Sequence, residues 1–339
     1  MNIVYVAVQG EDRILTFAMD PGTGKLRPQG ETAAAGGPAP LAVDPGHRFL
    51  HAGLRSGKQM ASFRVDPATG GLSRVGTISL DADPCYIATD RTGRFLLSAY
   101  YGAGKVAVHA IHEDGTLSGT PVDTHATAEH AHCIQADASN RFAFVPHTVK
   151  PNAIYQFRFD EGTGKLTPNP VPRVTPDGPD GPRHFEMHPT RDVFYVSNEQ
   201  GCSVTAYHFD RSTGTLKAFQ TLSTLPEGWD GKNTCAQIHI APSGKFLYVS
   251  NRGHHSIACY STDEATGRLT SQGQQVTEPT PRAFNVDPTG NFLFAAGLDS
   301  GRLAAYRIHP ATGRLTPLET YEVGKTPMWV LPVAFPGGK

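Results

Sequence analysis

A turn that ends in leucine recurs seven times along the 339-residue chain, and this repeat limits the fold more than any other feature. The copies are DPGTGKL ending at Leu26, DPATGGL at Leu72, HEDGTL at Leu117, DEGTGKL at Leu166, DRSTGTL at Leu216, DEATGRL at Leu269 and HPATGRL at Leu315. Successive leucines lie 46, 45, 49, 50, 53 and 46 residues apart. A period of about 40–50 residues with strand-like segments inside it is the spacing of propeller blades. A second tag sits within each unit: an extended run, a Pro/Gly-type turn, then an aromatic-rich strand. LAVDPGHRFLHAG, YIATDRTGRFLLSAY and FNVDPTGNFLFAAG are examples. Each unit therefore reads as a short inner strand, the aromatic strand, an alternating strand such as SVTAYHF, and an edge strand after the leucine. This pattern predicts an all-β fold, a seven-bladed β-propeller with four antiparallel strands per blade, in one domain over 1–339. No stretch carries a helical apolar period.

The two ends read as complementary halves. Ile3 to Val8 enters at the second strand of a unit, and Pro327-Met328-Trp329-Val330 reads as an inner strand with nothing after it. Met328 to Val333 is thus expected to complete the N-terminal blade and shut the ring, which removes a free sheet edge. An open array or a pair of sandwiches would have no use for such matched ends.

Composition narrows the function. With 30 Lys+Arg against 31 Asp+Glu the net charge is −1, so no nucleic-acid surface and no charged tail are expected. Apolar runs fall short of the roughly 18 residues of a membrane helix. MNIVYVAVQG alternates like a strand, without a basic region or a cleavage site, so neither a membrane anchor nor a signal peptide is expected. Cys85, Cys133, Cys202, Cys235 and Cys259 are odd in number and form no CxxC, which points to a reduced cytoplasmic setting. A monomer or weak homo-oligomer acting on a small molecule is the expected state.

Candidate site residues follow from position in the repeat. The segment Gly181–Cys202, GPRHFEMHPTRDVFYVSNEQGC, reads as strands Phe185–His188 and Val193–Ser197 joined at Pro189. Arg183 and His184 then stand just before the first strand, and Asn198 and Glu199 just after the second, at one end of the sheet. The same rule collects His130, His132, Gln237 and Arg282 before or at inner strands. After second strands it collects Tyr100, Tyr101, His147, Asn251, Arg252, His254 and His255. The leucine-tagged turns lie on the opposite face and read as generic turn chemistry. Arg183, Arg252 and Arg282 on one face suggest an anion pocket, because a guanidinium fork matches carboxylate and phosphate. Glu199 beside them should stay ionised, and a pocket histidine near neutrality suits His132 to proton transfer.

Plainer roles stand beside these. His130 and His132 lie two apart and could face one way toward a metal, but no carboxylate run accompanies them, so no metal is expected. Glu199 and Arg183 could be a structural ion pair tying two loops. His208, His239 and His309 read as strand residues, and His109, Trp229 and Trp329 as structural. Cys133 next to His132 should point to the other face of its strand, which argues against a thiol nucleophile. A WD-type scaffold is disfavoured, because the one Trp-Asp pair is Trp229-Asp230.

MNIVYVA, GPRHFEMHP, NEQGCSVTAY, TPRAFNVDPTGNFLFAAG and GKTPMWV together resemble the seven-bladed lactonase family, over Ile3 to Val333. That family includes propeller-type 6-phosphogluconolactonases and carboxymuconate-lactonizing enzymes. The resemblance implies a lactone substrate and no required cofactor. It places the family's site histidine, arginine, glutamate and second arginine on His132, Arg183, Glu199 and Arg252. The chemistry so implied gives Glu199 the base role on water, Arg183 the carbonyl oxygen and His132 the ring oxygen. Arg252, helped by Arg282, then takes the substrate's anionic end, with His130, His184, His147, Asn251, Gln237 and Tyr101 around it. Hydrolysis, isomerisation and muconate-type cyclisation remain open, as does whether the lactone carries a phosphate.

Overall fold

The alternating, turn-rich units fold as their periodicity predicts. The structure, a computed structural model, describes residues 1–335; residues 336–339 of the expected 1–339 domain lie outside the described residues. Seven sheets of four antiparallel strands form the ring. Blade five, for example, comprises Pro182–Met187, Val193–Asn198, Ser203–Asp210 and Thr215–Ser223 from the axis outward. Blade six runs Cys235–Ile240, Phe246–Asn251, Ser256–Thr262 and Leu269–Val276. The one helical element among the described residues is the short turn Gln9–Glu11.

Blade one is built from both ends. Pro327–Ala334 is its inner strand and pairs antiparallel with Asn2–Val8, one residue longer at each end than the Met328–Val333 expected. The Met1 ammonium donates to the Phe335 carbonyl at 3.0 Å, so the ring is tied along the full length of this pair.

Two turn devices explain the recurring sequence tags. Within a blade, a buried aspartate organises the turn between the first two strands. Asp44, Asp90, Asp137 and Asp287 each accept two main-chain N–H groups through Oδ1, the second from the phenylalanine that opens the next strand. The leucine-tagged turns join the third and fourth strands of a blade and also pack on the neighbouring blade, which goes beyond the generic turn chemistry expected. Gly214 has φ +73, and a Cβ there would lie 2.1 Å from Phe142 of blade four; Gly24 stands in the same relation to Phe292 of blade seven. Only a residue without a Cβ lets the turn lie flat on the neighbour's ring. Tyrosines add a latch between adjacent blades. The Tyr5 hydroxyl donates to Gly70 O at 2.7 Å, Tyr195 to Gly267 O at 2.7 Å and Tyr248 to Gly313 O at 2.9 Å.

The core consists of apolar faces packed between neighbouring sheets. Phe144, Phe185, Phe194 and Phe209 form one such layer between blades four and five, with ring centroids 4.7–6.1 Å apart. Polar and charged side chains on the inner strands are thereby left to the axis, where the site lies.

Candidate functional site

One irregularity of the inner strands brings the cations to the axis. In blade five, Pro182 pairs with Asn198 and His184 with Ser197, so Arg183 is an extra residue in the strand. Blade seven repeats this: Pro281 pairs with Gly297 and Ala283 with Ala296, leaving Arg282 as the extra residue. A bulge re-aims side chains that would otherwise alternate between faces. Arg183 and His184, consecutive in sequence, therefore both line one chamber. Both lie inside the strand Pro182–Met187 and not before it, as the expected Phe185–His188 boundary had it. Asn198 likewise closes its strand, and Glu199 alone follows it.

The chamber sits at the axis, and about 280 Å³ of space in and above it is free of protein atoms, part of it open to solvent. Ala39, Arg55, Cys85, His132, Arg183, His184, Gln237, Arg282, Met328 and Trp329 line it, contributed by all seven blades. A larger open groove, about 920 Å³ on the same measure, at Leu298–Gly301 and Glu322–Thr326 contains no arginine or histidine, so the convergent chemistry belongs to the axial chamber.

At its rim Glu199 is gripped from two blades. Arg183 Nε lies 3.0 Å from Oε2, and Arg252 Nη2 lies 2.9 Å from Oε1. The Arg183 contact is a charge contact, because the carboxylate sits off the Nε–H direction. Burial by itself would raise the Glu199 carboxyl; the Arg183 and Arg252 charges and the Arg252 hydrogen bond outweigh it and hold it below its ordinary range. Arg183 is 2% exposed. Burial, then the nearby Arg282 charge, pushes its guanidinium down to about 9, which leaves it cationic at neutral pH. Its Nη1 donates to His184 Nε2 at 3.3 Å.

The imidazoles differ from expectation. His132 is buried, and burial followed by the Arg183, His184 and Arg282 charges drives it well below the usual histidine value, not near neutrality. His184 is lowered well below by the same two causes, burial first and Arg183 next. Both rings are neutral at pH 7. His132 Nδ1 is buried without a partner among the described residues, and its ring lies 5.2 Å from His184 and 5.5 Å from Tyr101.

The remaining candidates divide. Gln237 lines the chamber while its Oε1 accepts from Phe284 N at 2.8 Å. Arg282 lines it, and its guanidinium has no hydrogen bond or ion pair among the described residues. Burial and the Arg252 and Arg55 charges lower it to about 10. Arg252 itself is occupied by Glu199 and by the Cys235 carbonyl at 2.9 Å, so it does not present a free fork. Tyr101 contacts His132 and, on its other side, His130, 4.8 Å between centroids. His130 is half-buried, in a left-handed conformation, bonded to Lys150 O at 2.8 Å; it does not share the facing of His132. His147 is fully buried between Val145 O and Thr127 Oγ1, away from the chamber. Asn251 is a buried pin: its amide donates to Thr224 O and Ser256 Oγ, and its Oδ1 accepts from Thr224 and Asn233. His254 packs on Trp229 and His255 accepts from Thr280 N. His309 follows its strand Arg302–Ile308 and is not within it.

Arg55, Cys85, Tyr86, Met328 and Trp329 were not singled out from the sequence. Arg55 follows the second strand of blade two, the slot of Glu199 and Arg252, and pairs with Asp83 at 2.6 Å. Met328 and Trp329 stand two and three residues into the sequence TPMWV, aligned with TPRAF and GPRHF, so Trp329 occupies the His184 slot. It lies edge-on to Tyr86 at 5.6 Å and forms an apolar wall, not the structural filler expected. Cys133 is buried, and burial pushes its thiol up, as burial does for Cys85, to about 11. Among the described residues no cluster of three or more His, Cys, Asp or Glu has the arrangement of a metal site. No helix is long and apolar enough to cross a membrane.

The sequence model described as "Lactonase, 7-bladed beta-propeller" matches residues 3–332. A 6-phosphogluconolactonase of Pectobacterium carotovorum is 35% identical over 96% of this chain and 83% of its own length. One of Yersinia enterocolitica is 33% identical over 97% of both chains. The periplasmic gluconolactonase of Pseudomonas aeruginosa superposes with a TM-score of 0.90 over 99% of both chains at 24% identity, a likeness of fold.

Proposed function

The chain belongs to the seven-bladed β-propeller lactonase family, and from that membership we propose that it hydrolyses a phosphorylated sugar-acid lactone, 6-phosphoglucono-lactone being the reference substrate. One observation carries the phosphate. Arg55, Arg183 and Arg282 line the chamber and Arg252 stands at its rim, against the two paired carboxylates Asp83 and Glu199, so two positive charges are unmatched and the Arg282 side chain has no partner among the described residues. A phosphate monoester carries about −1.5 to −2 near pH 7 and supplies the acceptor oxygens such a fork lacks.

Ester hydrolysis needs an activated water, a stabilised oxyanion and a proton for the leaving oxygen. Glu199, ionised, takes the proton from water as it attacks the carbonyl carbon. Arg183 faces the charge that grows on the carbonyl oxygen. His132 is neutral, so it orients the ring oxygen by a hydrogen bond at Nδ1, and the proton collected by Glu199 passes to the departing oxygen as the ring opens. Arg252 holds the carboxylate of Glu199 in place. Trp329 and Met328 give the carbon face of the sugar ring an apolar wall. Arg282 takes the phosphate. The chemistry calls on no group from outside the chain, and a monomer in the cytoplasm, where phosphorylated sugars are kept, suits this reading.

The test compares kcat/KM for 6-phosphoglucono-δ-lactone and glucono-δ-lactone in wild type and Arg282→Ala. The expected result is a preference for the phosphorylated lactone that shrinks roughly tenfold or more in the variant, the loss of one charge-assisted contact. Equal turnover of both lactones by the wild type removes the phosphate from the assignment.

A further inference from the structure

Cys202 and Cys235 take no part in this chemistry, yet they are built together at its edge. Cys202 ends the turn after Glu199 in blade five, in a left-handed conformation (φ 46), and is partly exposed. Cys235 opens the inner strand of blade six and is fully buried. Asn233 joins their surroundings. Its carbonyl accepts from Cys202 Sγ at 3.3 Å, and its Nδ2 donates to Cys202 Sγ at 3.4 Å and to Asn251 Oδ1 at 3.0 Å. Asn251 Oδ1 in turn lies 3.5 Å from Cys235 Sγ, with Thr224 Oγ1 at 3.2 Å on the same sulfur.

The two thiols are polarised in opposite senses. Hydrogen bonding from the Cys235 thiol, against the effect of burial and with help from Asn233 and Arg252, pulls Cys202 down to about 6. Burial first, and then the same thiol contact, pushes Cys235 well up. Burial pushes Cys85 and Cys259 up to about 11 and about 12. An accessible thiolate beside a protected thiol is the arrangement that oxidises selectively.

We propose that Cys202 is a peroxide-modified residue and that Cys235 resolves it to a disulfide linking blades five and six. The Cys202 thiolate attacks one oxygen of hydrogen peroxide. The O–O bond breaks, hydroxide leaves and takes up a proton as water, and Cys202 is left as a sulfenic acid, oxidised by two electrons. The Cys235 sulfur then attacks the Cys202 sulfur; the S–O bond breaks, water leaves with the thiol proton, and the S–S bond forms. In sum, two thiols and one peroxide give one disulfide and two waters. The link has a path to the site, because the Cys235 main chain donates its N–H to Glu199 O at 3.0 Å and accepts from Arg252 Nη2 at 2.9 Å.

The experiment treats the reduced full-length protein with near-stoichiometric hydrogen peroxide and maps peptides by mass spectrometry without reductant. The expected product is one Cys202–Cys235 linked peptide that dithiothreitol abolishes. Cys235→Ser is expected to accumulate a dimedone-reactive sulfenic acid at Cys202, and Cys202→Ser to give neither product. At pH 7, iodoacetamide is expected to label Cys202 at least roughly tenfold faster than any other cysteine, given its larger thiolate fraction. Oxidation confined to other cysteines overturns the assignment of Cys202. A sulfenic acid that persists in wild type with no link overturns the role of Cys235. None of these readouts uses lactone turnover, so they stand or fall apart from the proposed activity.

Discussion

Arg252 of blade six reaches across to Glu199 of blade five, its Nη2 2.9 Å from the carboxylate Oε1. The carboxylate proposed as the base and the arginine that holds it thus sit on different sheets, and the pair is a joint of the ring.

Glu199→Gln separates these two roles. It keeps the shape and an acceptor oxygen but removes the base, so kcat should fall by about 10² to 10⁴ with a modest change in KM. A purely structural pair predicts instead that Tm and activity fall together, and that Glu199→Gln with Arg252→Ala is no worse than either alone. Full activity in a folded Glu199→Gln protein rules out the assigned base.

Arg252→Ala and Arg282→Ala should now diverge, although both were expected from sequence to bind the anionic end. The Arg282 side chain has no partner among the described residues, so its removal should act chiefly on KM for the phosphorylated lactone. Arg252 holds Glu199 and Cys235 O, so its removal should lower kcat and cost stability, about 3–5 kcal/mol if the carboxylate is left half-paired and buried. Steady-state kinetics and thermal melts on the two variants decide; a KM effect confined to Arg252→Ala reverses the assignment.

Acid should loosen the ring before it silences the base. His132 and His184 are held well below 6.5 by burial and by neighbouring arginines, whereas in the unfolded chain each takes up a proton near that value. The unfolded state then binds more protons, and stability rises with pH through that window. Tm should therefore drop as pH is lowered from about 7 to about 5, and His132→Asn with His184→Asn should flatten the drop. The contribution of Glu199, whose carboxyl is lowered, is present above its unfolded value and is lost only below 4.5. The acid limb of kcat/KM should lie there as well. A slope unchanged by the double substitution removes the histidines as its source.

Truncation after Lys325 deletes the inner strand of blade one. Met328, Val330, Val333 and Phe335 are all buried, at about 1.5–3 kcal/mol each, or roughly 6–12 kcal/mol together. That rivals the about 5–15 kcal/mol by which a domain is stable. The truncated chain should show no cooperative melt; an unchanged melting curve would falsify the closure.

The repeat was legible because each blade solves the same packing problem with the same residues, and the buried turn aspartates and flat glycines recur for that reason. Convergence on the axis was legible where strand ends of the repeat meet it, at the slots of Glu199, of Arg183 and Arg282, and of His184. It was missed at Arg55 and Trp329, which occupy those same positions, because the rule was applied to chemically suggestive residues and not to every blade. His147 and Asn251 satisfied the rule by position, yet their side chains turn into the sheet and are consumed by Thr127, Val145, Thr224 and Ser256. Nor does one-dimensional spacing show a bulge, and the bulge aims Arg183 and His184 the same way. The depressed values of the two histidines depend on burial among arginines brought from other blades.

The pairing of Asn2–Val8 with Pro327–Ala334 also sets a clock on synthesis. A chain leaving the ribosome at about 5–20 residues per second exposes the edge of its first sheet for as long as the other six blades take to be made. Six blades can stack on one another as they emerge, but the chamber at their common axis comes into being last, in one event, when the final strand arrives.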